Sequence, residues 1–175
     1  MARARPMDQR ALPRKSSVPR TELRRIPLHG PFANQPRTPR VQRTESKLVL
    51  VVDDDEVERF LLRRALEDEG YAVEEAETAD DALLYCRLAY PDAMVVDNFL
   101  PGKTGIELCE ALRDEPATIR LPIVLLTGSK DPGVRELATR AGASIYLQKT
   151  PDPGPVIGAI ARLLAQMRNT HTTRH

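Results

Sequence analysis

Three stretches of the chain are apolar almost throughout and end abruptly on an acid or a hydroxyl. They are Lys47–Val52 (KLVLVV) before Asp53, Ala93–Val96 (AMVV) before Asp97, and Leu121–Leu126 (LPIVLL) before Thr127. A strand with one face in water alternates apolar and polar residues. An unbroken β-branched run instead reads as a strand buried on both faces, which requires a layer of helices above and below.

The segments between these runs supply the helices. Glu56–Glu69 places Val57, Phe60, Leu61, Ala65 and Leu66 at helical spacing, with Gly70 positioned as the residue that ends the helix. Tyr71–Glu75 reads as a second strand. Thr78-Ala-Asp-Asp81 is a capping pattern opening a helix to about Ala89. After the third strand, the loop Asn98–Lys103 carries Pro101-Gly102. Thr104-Gly-Ile-Glu107 then caps a helix to about Arg113. Pro122 stands near the start of the fourth strand, where a missing donor is tolerated. Asp131-Pro132 pairs an N-cap with a proline at the first helical position, opening a helix to about Ala141 that Gly142 ends. Ser144–Gln148 is a fifth strand, followed by Lys149. Asp152-Pro153 begins a last helix to about Met167. Five strands alternating with five helices over short links must run parallel, with right-handed crossovers. The fold class expected is α/β: a doubly wound five-stranded parallel sheet, flavodoxin-like, (βα)5, with strand order 2-1-3-4-5.

Charge divides the chain. Residues 1–46 hold ten Arg and one Lys against three acids, a net of +8, so the remainder carries −7 of the overall +1. The same segment holds seven of the fifteen prolines and shows no apolar period. Such a segment buries too little surface to offset its ordering entropy. Three regions are therefore expected: a disordered basic Pro/Arg-rich extension over 1–45, a folded domain over 46–168, and a disordered tail over 169–175. The basic arm could meet a phosphate backbone, an anionic lipid or the acidic domain itself, or be a solvated tail. Only Phe32 stands among its arginines, so base stacking is not supported and no nucleic acid is expected except through residues 1–45.

Other classes drop out quickly. Cys86 and Cys109 are too few for a disulfide framework and sit in apolar helical contexts, as small buried hydrophobes do. His29, His171 and His175 all lie in the probable tails, which argues against a histidine metal site or a catalytic triad. No apolar run approaches a membrane span, and no apolar stretch follows the basic start as in a secretory signal, so a cytoplasmic protein without membrane contact is expected.

Open parallel sheets bind ligands outside the carboxyl ends of their strands, at the point where the strand order reverses. Those ends carry Asp53 and Asp54, then Asp97, Thr127 and Lys149. In the order 2-1-3-4-5 the first and third strands are neighbours, so three carboxylates crowd one crevice. Such carboxylates repel unless a cation or proton intervenes. A hard divalent cation such as Mg²⁺, held by oxygen ligands, resolves the repulsion. Lys149 adds a point charge suited to a phosphoryl oxygen and Thr127 a hydroxyl donor, the parts phosphoryl transfer needs. Asp55 and Glu56, by contrast, read as partners of a helix N-terminus.

With VVDDD, VVDNFLPGKTG, IVLLTGS and GASIYLQK in this order, the region from about Lys47 to about Leu164 resembles a response-regulator receiver domain of two-component signalling. The resemblance implies that Asp97 accepts a phosphoryl group from a sensor histidine kinase or a histidine phosphotransfer protein. It implies Mg²⁺ held by Asp54, Asp97 and the backbone carbonyl of Phe99, with Asp53 acting mainly through metal-bound water. Lys149 would pair with phosphoryl oxygens, Thr127 would hydrogen-bond one of them, and Tyr146 would be the aromatic switch. Activity would be limited to self-phosphorylation from a phosphodonor and slow autodephosphorylation, with an unknown downstream protein as the switched partner. Three departures stand out: Thr150 follows Lys149 with Pro151 one place later, Lys103-Thr104-Gly105 makes its loop less acidic, and Ala143-Ser144-Ile145 lacks the acids of the usual dimer face. The cis peptide that the family has after this lysine is therefore not expected. The resemblance also implies that Phe99 and Ser129, two residues after Asp97 and Thr127, tune dephosphorylation, and Phe99 would shield the phosphoryl group from water. The chain stops soon after the fifth helix, so a single-domain regulator is expected. A receiver-fold binding module that is never phosphorylated and a metal-dependent phosphohydrolase are the two competing readings.

Overall fold

The structure, a computed structural model, describes residues 46–172. The expected disordered extension over 1–45 and residues 173–175 lie outside the described residues. In chain order the elements are β1 (Leu48–Val52), α1 (Glu56–Asp68), β2 (Ala72–Ala76), α2 (Ala79–Ala89), β3 (Ala93–Asp97), α3 (Gly105–Asp114), β4 (Ile123–Thr127), α4 (Pro132–Arg140), β5 (Ile145–Gln148) and α5 (Gly154–Thr172). The strands form one parallel sheet in the order β2-β1-β3-β4-β5. This is the doubly wound, flavodoxin-like α/β fold that the strand runs predict.

Successive side chains of a strand point to opposite faces, and the core divides accordingly. Leu50, Val52, Met94, Val96, Ile123 and Leu125 pack beneath α2, α3 and α4. Val49, Val51, Val95 and Val124 meet Leu66 of α1 and Ile160 of α5 on the other face. All five residues of β3 and of β4 are buried, whereas the outermost strands β2 and β5 are only partly covered. Cys86 and Cys109 are buried in the first layer. Burial pushes their thiols up to about 11 and about 12, so they stay protonated and act as packing residues.

The register decides what the sheet can present. Val52 pairs with Val96, Asp97 with Leu126, and Thr127 with Gln148. Strands of nearly equal length in this register end level, so the residues that close them line a single edge.

Local chemistry fixes where the elements begin. The Asp55 side chain accepts the amides of Val57 and Glu58 at 2.8 and 2.9 Å, the expected cap of α1. The Thr104 pattern closes into a full capping box: its hydroxyl accepts the Glu107 amide at 3.2 Å, while Glu107 accepts the Thr104 amide at 2.7 Å. The Thr78 pattern closes only halfway. Asp81 is one methylene shorter than Glu and takes the Thr78 hydroxyl proton at 2.6 Å instead of reaching the backbone.

Two expectations are corrected. Helix α5 continues to Thr172 rather than ending near Met167; neither proline nor glycine follows Gly158 to stop it. The apolar period expected for α1 also does not define its buried face. Arg59, Leu62 and Leu66, spaced by three and four residues, face the sheet, while Val57, Phe60 and Leu61 are exposed. The apolar residues of α1 span more than one face, so their period alone did not fix its rotation. Pro122 lies just outside β4, where its carbonyl accepts the Met94 amide and no donor is demanded of it.

Candidate functional site

Asp53 follows the last residue of β1 and is buried. One of its carboxylate oxygens accepts the Asp55 amide at 2.9 Å, so the turn into α1 orients the side chain. Its own amide donates to the Ala76 carbonyl and its carbonyl accepts an Arg59 N–H at 2.6 Å. Asp54, next along, is exposed. Asp97 closes β3 and is 5% exposed. Ligand oxygens of Asp53, Asp54 and Asp97 all lie within 4.8 Å of one another.

Lys149 reaches this cluster from beyond β5, its amide anchored on the Thr127 carbonyl at 2.8 Å. Its ammonium nitrogen lies 2.9 Å from Asp53 Oδ2, 2.5 Å from Glu58 Oε2 and 3.2 Å from Asp97 Oδ2. Burial alone would lower the lysine pKa; hydrogen bonds to Glu58 and Asp53 and the charges of Asp97 and Asp53 more than offset it, and the net shift is upward. The ammonium is therefore charged throughout the physiological range. Asp97 moves up from its ordinary value. Burial is the chief cause, opposed by Lys149, with the Asp53 charge adding to it.

Asp97 Oδ1 is buried and has no hydrogen-bond partner. A buried carboxylate oxygen left without a partner is costly, and the Asp97 side chain belongs to a cluster of like charges. The donor set consists entirely of carboxylates, two of them buried, which suits a hard divalent cation. The acidic pocket expected from the sequence is present, and its chemistry fits such an ion.

Thr127 is fully buried at the end of β4, and its hydroxyl oxygen accepts the Ser129 amide at 3.1 Å. Its hydroxyl proton is thereby left for another acceptor. Tyr146 is half-buried on β5, with the Arg135 guanidinium 5.0 Å from its ring centroid and its hydroxyl 3.5 Å from the Ser129 carbonyl. Phe99 is 59% exposed. The structure thus brings Asp53, Asp54, Asp97 and Lys149 into one cluster, with Thr127 on the same sheet edge and Tyr146 one strand beyond. Every described peptide bond is trans, including Lys149–Thr150, in keeping with the expectation drawn from Thr150.

Three contributors escaped the sequence reading. Glu58 joins the cluster from the first turn of α1, Arg59 braces the Asp53 carbonyl, and Gly105 lets α3 start against Asp97. A Cβ on Gly105 would stand 2.4 Å from the Asp97 carbonyl oxygen. The only signal for the first two was their position five and six residues beyond Asp53, and that requires the rotation of α1 to be known.

The sequence profile of the family described as "Response regulator receiver domain" matches residues 49–161. The chain belongs to the response-regulator receiver family.

Among curated relatives of this receiver domain, the phosphate regulon transcriptional regulatory protein PhoB of Rhizobium meliloti (strain 1021) is 42% identical over 122 residues, covering 69% of this chain and 52% of PhoB. The transcriptional regulatory protein ResD of Bacillus subtilis (strain 168) is 35% identical over 130 residues, covering 74% and 53%. The chain therefore spans about half the length of the curated relatives it matches. Among solved structures, a CheY-like receiver domain protein from Methanospirillum hungatei superposes with a TM-score of 0.67 at 27% identity, covering 71% of this chain and 98% of the other. The chemotaxis response regulator CheY4 of Vibrio cholerae does so with a TM-score of 0.64 at 30% identity, covering 67% and 98%. Among the described residues no helix is long and apolar enough to cross a membrane.

Proposed function

We propose that this receiver domain is a phosphorylatable switch, with Asp97 as the phosphoacceptor. The observation that carries the reading is the Asp97 carboxylate itself: buried within the three-carboxylate cluster, with Oδ2 turned to Lys149 and Oδ1 without a hydrogen-bond partner. An Asp97 oxygen attacks the phosphorus of a phosphohistidine on a histidine kinase or phosphotransfer protein. The P–N bond breaks, its electron pair stays on the imidazole, and an acyl phosphate remains on Asp97. Lys149 neutralises charge on the phosphoryl oxygens, and the free hydroxyl proton of Thr127 is donated to one of them.

Asp54, Asp97 and the Phe99 carbonyl would hold Mg²⁺, with Asp53 supporting it mainly through water. When bound, the ion supplies charge that lets a dianionic phosphoryl group approach three carboxylates. Burial of Thr127 couples the new bond to β4, and Tyr146, next to Ser129 and Arg135, is the side chain positioned to report it to a downstream protein. The domain is assigned to the cytoplasm, where such donors act.

The experiment is incubation with acetyl phosphate, with and without Mg²⁺, read by intact mass. One added phosphoryl group is expected with Mg²⁺ only, and none in Asp97→Asn. Labelling that survives Asp97→Asn would displace the acceptor. A folded wild-type protein that is never labelled, even by a histidine kinase, would leave the non-phosphorylated binding module as the function.

A further inference from the structure

An ammonium group has three protons to donate, and in this structure Lys149 faces three carboxylates. They are Asp53 at 2.9 Å, Glu58 at 2.5 Å and Asp97 at 3.2 Å. Hydrogen bonds to Asp53 and Glu58 engage two of its protons, and the ion pair with Asp97 lies on its remaining side. If Asp97 is the phosphoacceptor, the reading on which this inference rests, Lys149 must give up one of these partners to meet an incoming phosphoryl oxygen.

The three partners differ in what release costs. The Asp53 side chain is 5% exposed and its other oxygen is held by the Asp55 amide, so it can neither swing nor regain water. Asp97 is 6% exposed at the side chain and carries the reacting oxygens. Glu58 is different: its side chain is 54% exposed, it projects from the first turn of α1, and no other hydrogen bond to its carboxylate is seen among the described residues. A carboxylate that turns into water is resolvated at once, whereas a buried one is not.

We propose that Glu58 is a displaceable stand-in for the phosphoryl group. In the resting protein it occupies the place on the Lys149 ammonium that a phosphoryl oxygen takes, and it swings into solvent when the phosphodonor binds. Glu58 is thus a positioning residue that acts through Lys149. It keeps the ammonium at the mouth of the site and sets how readily an anionic donor engages it. As a competitor for one binding position, it raises the donor concentration needed without altering the rate once the donor is bound.

The test follows phosphorylation rate against acetyl phosphate concentration, at fixed Mg²⁺ and ionic strength, for wild type, Glu58→Gln and Glu58→Asp. Glu58→Gln removes the charge. Glu58→Asp keeps the charge but draws the carboxylate back by about 1.5 Å. Both variants are expected to lower the half-saturating donor concentration by about twofold to fivefold, the worth of one half-exposed ion pair, with the maximal rate unchanged. In the metal-free protein, the Lys149 ammonium resonance in ¹⁵N-lysine NMR, slowed in exchange by its hydrogen bonds to Asp53 and Glu58, is expected to broaden in both variants. A half-saturating concentration unchanged in Glu58→Gln overturns the proposal. So does an effect in Glu58→Gln that is absent in Glu58→Asp, which would mean diffuse charge repulsion rather than occupancy. Failure of wild type to be labelled at all is a separate result: it removes the phosphoacceptor reading and this inference with it.

Discussion

Arg59 occupies a position where a helix packed on a sheet normally carries an apolar side chain. It is 7% exposed, its guanidinium donates to the Asp53 carbonyl at 2.6 Å, and it pairs with Glu75 at 3.4 Å and Glu77 at 3.2 Å. A buried charge is tolerated only when paired and hydrogen-bonded; without Arg59 the Asp53 carbonyl loses this donor and the space it fills is left empty, while Glu75 keeps Arg63 at 3.0 Å. Arg59→Ala is expected to destabilise the domain by about 1–3 kcal/mol, measured as a lowered urea midpoint. It is also expected to slow labelling of Asp97, because the Asp53 carbonyl loses its brace. A urea midpoint that stays put would show the network to be ornamental to the fold. The contrast with Lys149 is instructive. Lys149 was legible from sequence because a strand end fixes its position regardless of helix rotation. Arg59 and Glu58 were not, because their roles depend on which face α1 turns inward, and Val57, Phe60 and Leu61 pointed to the wrong one.

At the scale of elements, strand runs were legible because burial on both faces leaves an unmistakable composition, and caps were legible because Asp55, Thr104 and Asp131 act within a few residues of themselves. Approach between elements was not. Gly105 could be read as one residue of a capping pattern, yet its role is to admit the start of α3 against the end of β3. Its amide donates to the Asn98 carbonyl at 3.0 Å, and any Cβ would sit 2.4 Å from the Asp97 carbonyl oxygen. Two effects oppose each other in Gly105→Ala. Alanine is the better helix former by about 1 kcal/mol, whereas forced overpacking costs about 1–3 kcal/mol. The clash is with backbone, which cannot rotate away, so it wins. A net loss of up to about 2 kcal/mol in denaturant unfolding is expected, together with slower phosphorylation as Asp97 shifts. Unaltered labelling kinetics in a destabilised variant would separate the packing of α3 from the placement of the acceptor.

The whole molecule gathers carboxylates from β1 and β3 at one edge of the sheet, and the level strand ends leave them no means of separating. Their repulsion works against the folded state and is absent from the unfolded chain, where the strand ends drift apart. A divalent cation that binds only the assembled cluster must therefore stabilise the whole fold by linkage. Mg²⁺ at ten times its dissociation constant is expected to contribute about 1.4 kcal/mol, a rise of roughly 5 °C in melting temperature for a domain of this size. Chelation should reverse it. Asp54→Asn removes the exposed member of the cluster, so its metal-free form is expected to melt at or above the wild-type temperature, while its rise with Mg²⁺ shrinks. Differential scanning calorimetry across a Mg²⁺ series checks both directions. Equal rises in wild type and Asp54→Asn would mean that the cation acts by general screening; a rise confined to the intact cluster would tie the stability of the sheet to the carboxylates that surround Asp97, the proposed phosphoacceptor.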